Sequence, residues 1–189
     1  MPDELMTLIC QQIGFVVYMR LLAIFGFLGF GLSLLVHLIT FWGIDPSQRV
    51  PWIWVLHVGI FFVFGPMTSS VRSQLKSERK GWASGFRQPF GILPRVFAPV
   101  PLWLRVAAIV CFVYAFVNFI VFINLSGGGA PSQQDGKYLL VSHGTVIREL
   151  TEEEYAWQQA YVVQGFSGHW MMFYLTPALY FAYHHKSKR

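Results

Sequence analysis

LLAIFGFLGFGLSLLVHLITFWG, residues 21–43, runs for 23 residues without a charged side chain. As a helix rising 1.5 Å per residue it reaches about 34 Å, enough to cross a hydrocarbon core about 30 Å thick. Three more apolar runs follow. The second, 51–67, opens on Pro51, which suits a first helical turn. The third covers about 106–125. The fourth, about 168–184, contains Pro177, which removes a backbone donor and predicts a kink. The expected fold class is an all-α membrane protein, a four-transmembrane-helix bundle carrying a small extracytoplasmic β-hairpin and helix as a cap.

Composition points the same way. Of 189 residues, 54% are hydrophobic, 17% aromatic and only 12% charged, where soluble domains carry about 25% charged residues. Such a chain cannot cover its surface with polar groups in water, so its first expected partner is the lipid bilayer. The formal charge of +5 would suit nucleic acid, but the basic residues flank apolar runs instead of lining a face with stacking rings. Nucleic acid is therefore not an expected partner. Cys10 and Cys111 both fall in apolar stretches and are too few for a disulfide framework. Asp3 and Glu4 stand where a cleaved signal peptide carries cations, so the first segment reads as retained.

Orientation follows from the cations. Eleven of the fourteen Lys and Arg residues sit on one side of the four runs. They are Arg20, Arg72, Lys76, Arg79, Lys80, Arg87, Arg95, Arg105, Lys186, Lys188 and Arg189; Arg49, Lys137 and Arg148 fall opposite. The positive-inside rule then predicts both termini in the cytoplasm, N-in/C-in, for a multi-pass protein of the cell membrane. The type of membrane is not encoded.

The regions outside the runs divide the chain further. Residues 1–19 read as an interfacial amphipathic helix, with Leu5, Leu8, Ile9, Ile13 and Val16 on one face and Glu4, Thr7 and Gln11 opposite. Met19-Arg20 is a second place at which the native chain could begin. Residues 20–125 hold spans one to three, with a basic loop at 68–103 in which Trp82, Phe86 and Phe90 stand among cations. Charge-setting for topology explains that loop, and anionic inner-leaflet lipids or a partner subunit are its expected contacts. Residues 126–167 begin with a Gly-rich linker, Ser126 to Pro131. Strands at 138–142 and 145–150 follow around His143-Gly144. Thr151 with Glu154 makes a capping box, and Glu152 and Glu153 complement the helix dipole. Residues 168–189 are span four and a basic tail.

Helical spacing assigns each span an inward face. On span one these are Ala23, Gly26, Gly29, Ser33, His37 and Thr40; small residues there permit close approach. Span two offers His57 with Trp54, Phe61 and Thr68. Span three offers Ala107, Cys111, Tyr114, Ala115 and Asn118, and span four His169, Thr176 and Tyr180. The expected polar lining is thus Ser33, Thr40, Tyr114, Asn118, Thr176 and Tyr180. His37 and His57 both fall about 9 Å below the outer surface by helix rise, and His169 starts span four on that side.

Ionisable groups at membrane depth are functional candidates. His37 and His57 could hold haem b axially, and with His169 a metal ion. Equally, Ser33, Tyr114, Asn118 or backbone carbonyls could satisfy them as neutral structural residues. Ser142-His143 lacks an orienting acid, so no hydrolase emerges. No motif specifies a reaction, and no catalytic residue is assigned. Three functions remain: a non-catalytic subunit or accessory component of a larger membrane assembly with other membrane subunits as partners, a haem- or metal-binding electron-transfer protein, and a small transporter or channel component.

Overall fold

Residues 21–40 of the opening run form the second half of a single helix, α1, Pro2–Thr40. The structure, a computed structural model, describes residues 2–78 and 97–184. Arg79, Lys80, Trp82, Phe86, Arg87, Phe90 and Arg95 of the basic loop lie outside the described residues, as do Lys186, Lys188 and Arg189. After α1 come two 3-10 turns, Pro46–Gln48 and Pro51–Trp54, then α2, Val55–Glu78, and α3, Leu102–Leu125. Strands β1, Ala130–Gln134, β2, Lys137–Ser142, and β3, Thr145–Leu150, precede the last helix, α4, Glu152–His184. The described residues are mostly helical, and among them three segments are long and apolar enough to cross a membrane: Met6–Thr40, Pro51–Gln74 and Leu102–Leu125.

Several boundaries differ from the sequence expectation, each for a local reason. No separate helix covers 1–19. Between Pro2 and Thr40 the chain has no proline beyond its first residue, and Gly14, the one glycine before residue 21, is tolerated in a helix interior at about 1 kcal/mol. Likewise α2 runs on through Pro66 to Glu78, so 68–78 is helix and not loop. The expected outer helix and fourth span are one helix, α4, which also continues through Pro177. Gly165 and Gly168 do not end it, because their missing side chains make room for neighbours. Finally, the presumed linker contributes Ala130 and Pro131 to a third strand, and the hairpin is a three-stranded antiparallel sheet in the order β1-β2-β3.

Internal packing divides the chain into two units. The first comprises Met1–Leu28, Ile60–Ala108 and Phe173–Arg189. Its core gathers Met19, Ala23, Met67, Tyr180 and Phe181, with Leu22, Phe64 and Val71 against it. Gly26 permits the closest contact: a Cβ there would lie 2.8 Å from that of Ala178. Phe25 meets Tyr174 and Phe64 meets Phe173 in tilted and edge-on ring pairs, geometries that suit the aromatic quadrupole. The Tyr180 hydroxyl lies 2.7 Å from Ser70 Oγ and accepts from Gln74 Nε2 at 3.0 Å. Such bonds let hydroxyls sit in an apolar core without the desolvation cost of an unmade bond.

The second unit comprises Gly29–Gly59 and Ile109–Met172. Its sheet is closed by two turns of two residues each. Asp135-Gly136 and His143-Gly144 all have positive φ, the type I′ pattern that matches strand twist. Leu139, Leu140 and Leu150 are buried, and Tyr138 stacks on Tyr155 at 4.6 Å between ring centres. Gln158 Nε2 donates to the carbonyl of Leu125 at 2.9 Å, satisfying an acceptor at the end of α3.

The capping box at the start of α4 is formed in both directions. The Glu154 N–H donates to Thr151 Oγ1 at 3.1 Å, and the Thr151 N–H donates to Glu154 Oε2 at 2.8 Å. That backbone donor, and next the Arg148 guanidinium at 2.8 Å, hold the Glu154 carboxyl below the ordinary carboxylate range. A carboxyl depressed in the folded state stabilises above its unfolded pKa, and that stabilisation disappears as pH falls through the folded value. Amide protection factors at 152–155 are therefore expected to hold at neutral pH and to drop as pH falls below about 4. Hydrogen exchange followed by mass spectrometry, corrected for intrinsic rates, checks this. A protection profile flat down to acid pH would contradict it.

Candidate functional site

On α1, the face predicted to pack inward is the buried one: Ala23, Gly26, Gly29, Ser33, His37 and Thr40 are all buried. Ser33 donates to the Gly29 carbonyl at 2.7 Å and Thr40 to the His37 carbonyl at 2.6 Å. These hydroxyls thus satisfy themselves on their own helix, and the imidazole of His37 is left to bond elsewhere.

His37 bonds at both nitrogens within the second unit. Its Nδ1 lies 2.8 Å from Ser167 Oγ on α4, and its Nε2 lies 2.5 Å from the Tyr114 hydroxyl on α3. Ser167 Oγ is also 3.2 Å from the Gln164 carbonyl, to which only a hydroxyl proton can be given. With that proton committed, Ser167 accepts from His37, which places the imidazole proton on Nδ1. Nε2 then accepts from Tyr114. Every polar atom of the chain Tyr114, His37, Ser167 and Gln164 has a role consistent with a neutral ring. One imidazole so ties three helices together.

Asn118 makes the adjacent polar contact. Its Nδ2 donates to the Gln164 carbonyl at 3.0 Å. The close approach depends on Gly168, where a Cβ would stand 2.4 Å from Asn118 Nδ2. One turn away, a Cβ at Gly165 would stand 2.6 Å from the ring of Phe122. Gly165, Ser167 and Gly168 on α4 therefore form the seat for Phe122, His37 and Asn118. Of the residues expected inward, His37 and Asn118 are buried, while Tyr114 is 37% exposed and only its hydroxyl reaches His37; Ser167 and the two glycines were not expected. All three lie in or beside the stretch Phe166-Ser-Gly-His-Trp.

The other histidines bond to separate partners. His57 Nδ1 accepts the indole N–H of buried Trp170 at 3.0 Å, in a group of edge-on rings with Trp54 and Phe166. The His57 residue itself is exposed, and Phe61 on the same expected face is 69% exposed. The buried face of α2 is instead Ile60, Val63 and Met67, because Thr68 returns its hydroxyl to the Gly65 carbonyl at 2.8 Å and needs no inward partner. His169 Nδ1 donates to the Gly165 carbonyl at 2.9 Å, and its ring meets Phe119 edge-on. Thr176 is half-buried and Tyr180 belongs to the first unit, while Ala107 on α3 is exposed. His143 occupies a turn position and is exposed.

Both nitrogens of His37 are engaged by hydroxyl groups. Among the described residues no three His, Cys, Asp or Glu side chains gather as a metal-holding group, so His37, His57 and His169 are not brought together as ligands. The site is a packed hydrogen-bonded node.

The described residues are mostly helical, with three helices long and apolar enough to cross a membrane and a three-stranded sheet. No family model, curated protein or solved structure matches it.

Proposed function

We propose that the chain is a four-span membrane protein with both termini cytoplasmic and α4 as the fourth span, and that it serves as a non-catalytic subunit of a larger membrane assembly. The observation that carries this reading is the length of α1. Its 39 residues make a rod about 58 Å long, roughly twice the hydrocarbon thickness. The stretch before the predicted span is apolar over much of its circumference, with Met6, Leu8, Ile13 and Phe15 all exposed. A span of about 20 residues leaves that extension outside the hydrocarbon core, where a partner subunit can cover it. The node at His37 adds support, since its one buried imidazole is committed to joining helices. Anionic lipid at the 68–103 region accompanies this reading as a second contact.

Purification from the native host in mild detergent tests it. The full chain should migrate with at least one co-purifying membrane subunit, and a variant lacking residues 2–18 should lose that partner while remaining in the membrane fraction. Migration of the full chain as an isolated monomer overturns the proposal.

A further inference from the structure

The connector between α1 and α2, residues 41–54, is short, ordered and unevenly covered. Its ordered side is well defined. Asp45 Oδ1 accepts the Ser47 N–H at 2.8 Å, and Pro46 and Ile53 are buried. Gly43, at φ +70°, lies so close to Trp157 that a Cβ would stand 2.9 Å from its ring. A backbone held at these points cannot turn its opposite side inward. That opposite side carries Trp42 at 71% exposure and Trp52 at 77%, with Ile44 and Val50 also exposed.

We infer that this connector is a bilayer anchor, seated in the headgroup layer, with Trp42 and Trp52 as its inserted side chains and lipid as the occupant of its apolar face. The inference rests on the reading that α1 and α2 cross the membrane. Both flanking segments, Met6–Thr40 and Pro51–Gln74, are long and apolar enough to do so, which puts the link between them at the depth where helices emerge. Tryptophan suits that layer because its ring is apolar and its N–H can bond to water or ester oxygens. Exposed Arg49 lies between the two tryptophans in sequence, and a guanidinium on a long stem reaches phosphate oxygens while its methylenes stay in apolar surroundings. The adjoining turns of α1 and α2 also expose apolar side chains, Leu35, Leu38, Val55 and Val58, and the chemistry of the connector face fits a phospholipid headgroup and glycerol region.

The test uses the full chain in phosphatidylcholine nanodiscs, with Cys10→Ser and Cys111→Ala and a nitroxide attached through Val50→Cys. A second label through Phe62→Cys, an exposed position within α2, reports on the span. Both labels should be more accessible to oxygen than to a water-soluble nickel chelate, the connector label at the shallower depth. Connector access dominated by the chelate, with the span label still in lipid, overturns the anchor alone. A connector label reached by neither reagent means a protein covers it, which also overturns it. Chelate access at the span label overturns the spanning reading itself. As a second readout, Trp42→Phe with Trp52→Phe should remove much of the fluorescence quenching by lipids brominated near the glycerol; unchanged quenching overturns the anchor.

Discussion

Gly168→Val is expected to cost about 3 kcal/mol or more of stability, combining overpacking with loss of a buried hydrogen bond. The new Cβ would stand 2.4 Å from Asn118 Nδ2 and 3.1 Å from Asn118 Cγ. Asn118 is not a loose side chain able to swing away, because its amide donates to the Gln164 carbonyl at 3.0 Å. Relief therefore requires breaking that bond or moving α3 from α4, and the packed contact of Gly165 with Phe122 a turn away opposes the second. Overpacking costs about 1–3 kcal/mol, and an interhelical hydrogen bond contributes about 1–2 kcal/mol at most within a bilayer. The contact also predicts strong coupling. Asn118→Ala should recover part of the loss when added to Gly168→Val, so the double variant should be less damaged than the sum of the two. Unfolding in mixed detergent and denaturing surfactant measures all three; simple additivity would mean that the two residues do not meet.

His37→Ala should have a comparable effect, about 2–4 kcal/mol, mainly from the cavity left by a buried ring. Tyr114→Phe is the milder companion. It deletes only the proton given to Nε2, and should cost about 1 kcal/mol, the scale of one net hydrogen bond. The ordering of the two separates roles. A ring that ties helices loses stability when removed, whereas a ring kept for a ligand would cost function and leave stability largely unchanged. An unfolding curve for His37→Ala that overlays the parent would refute the structural role.

The helices were legible because membrane-length apolarity is a strong signal that needs no long-range information, and the buried face of α1 could be read from small residues at helical spacing. The capping box was legible for a similar reason: Thr151 and Glu154 satisfy each other within one turn. Strand β1 was missed although Asp135-Gly136 is a strong local hairpin signal. The run of glycines before it suggested a linker and hid the pairing of Ala130–Gln134 with β2. The face of α2 was misjudged because helical spacing cannot tell a polar residue bonded to its own helix from one bonded across the core. Thr68 bonds within α2, and the inward positions went to Ile60, Val63 and Met67. Ser167 was out of reach for a different reason. Its bond to His37 spans 130 positions, and no local pattern marks it.

The sheet has a consequence for how the chain is assembled. Each strand joins the next through two residues, so its cross-strand bonds link near neighbours along the polypeptide. Hairpins of this kind close in about 1–10 μs, whereas synthesis adds only about 5–20 residues per second. Once Leu150 is free to fold, the sheet can be complete before α4 has packed against its neighbours. The nascent last helix would then start from a finished platform, its first turn already capped, and not from a loose coil.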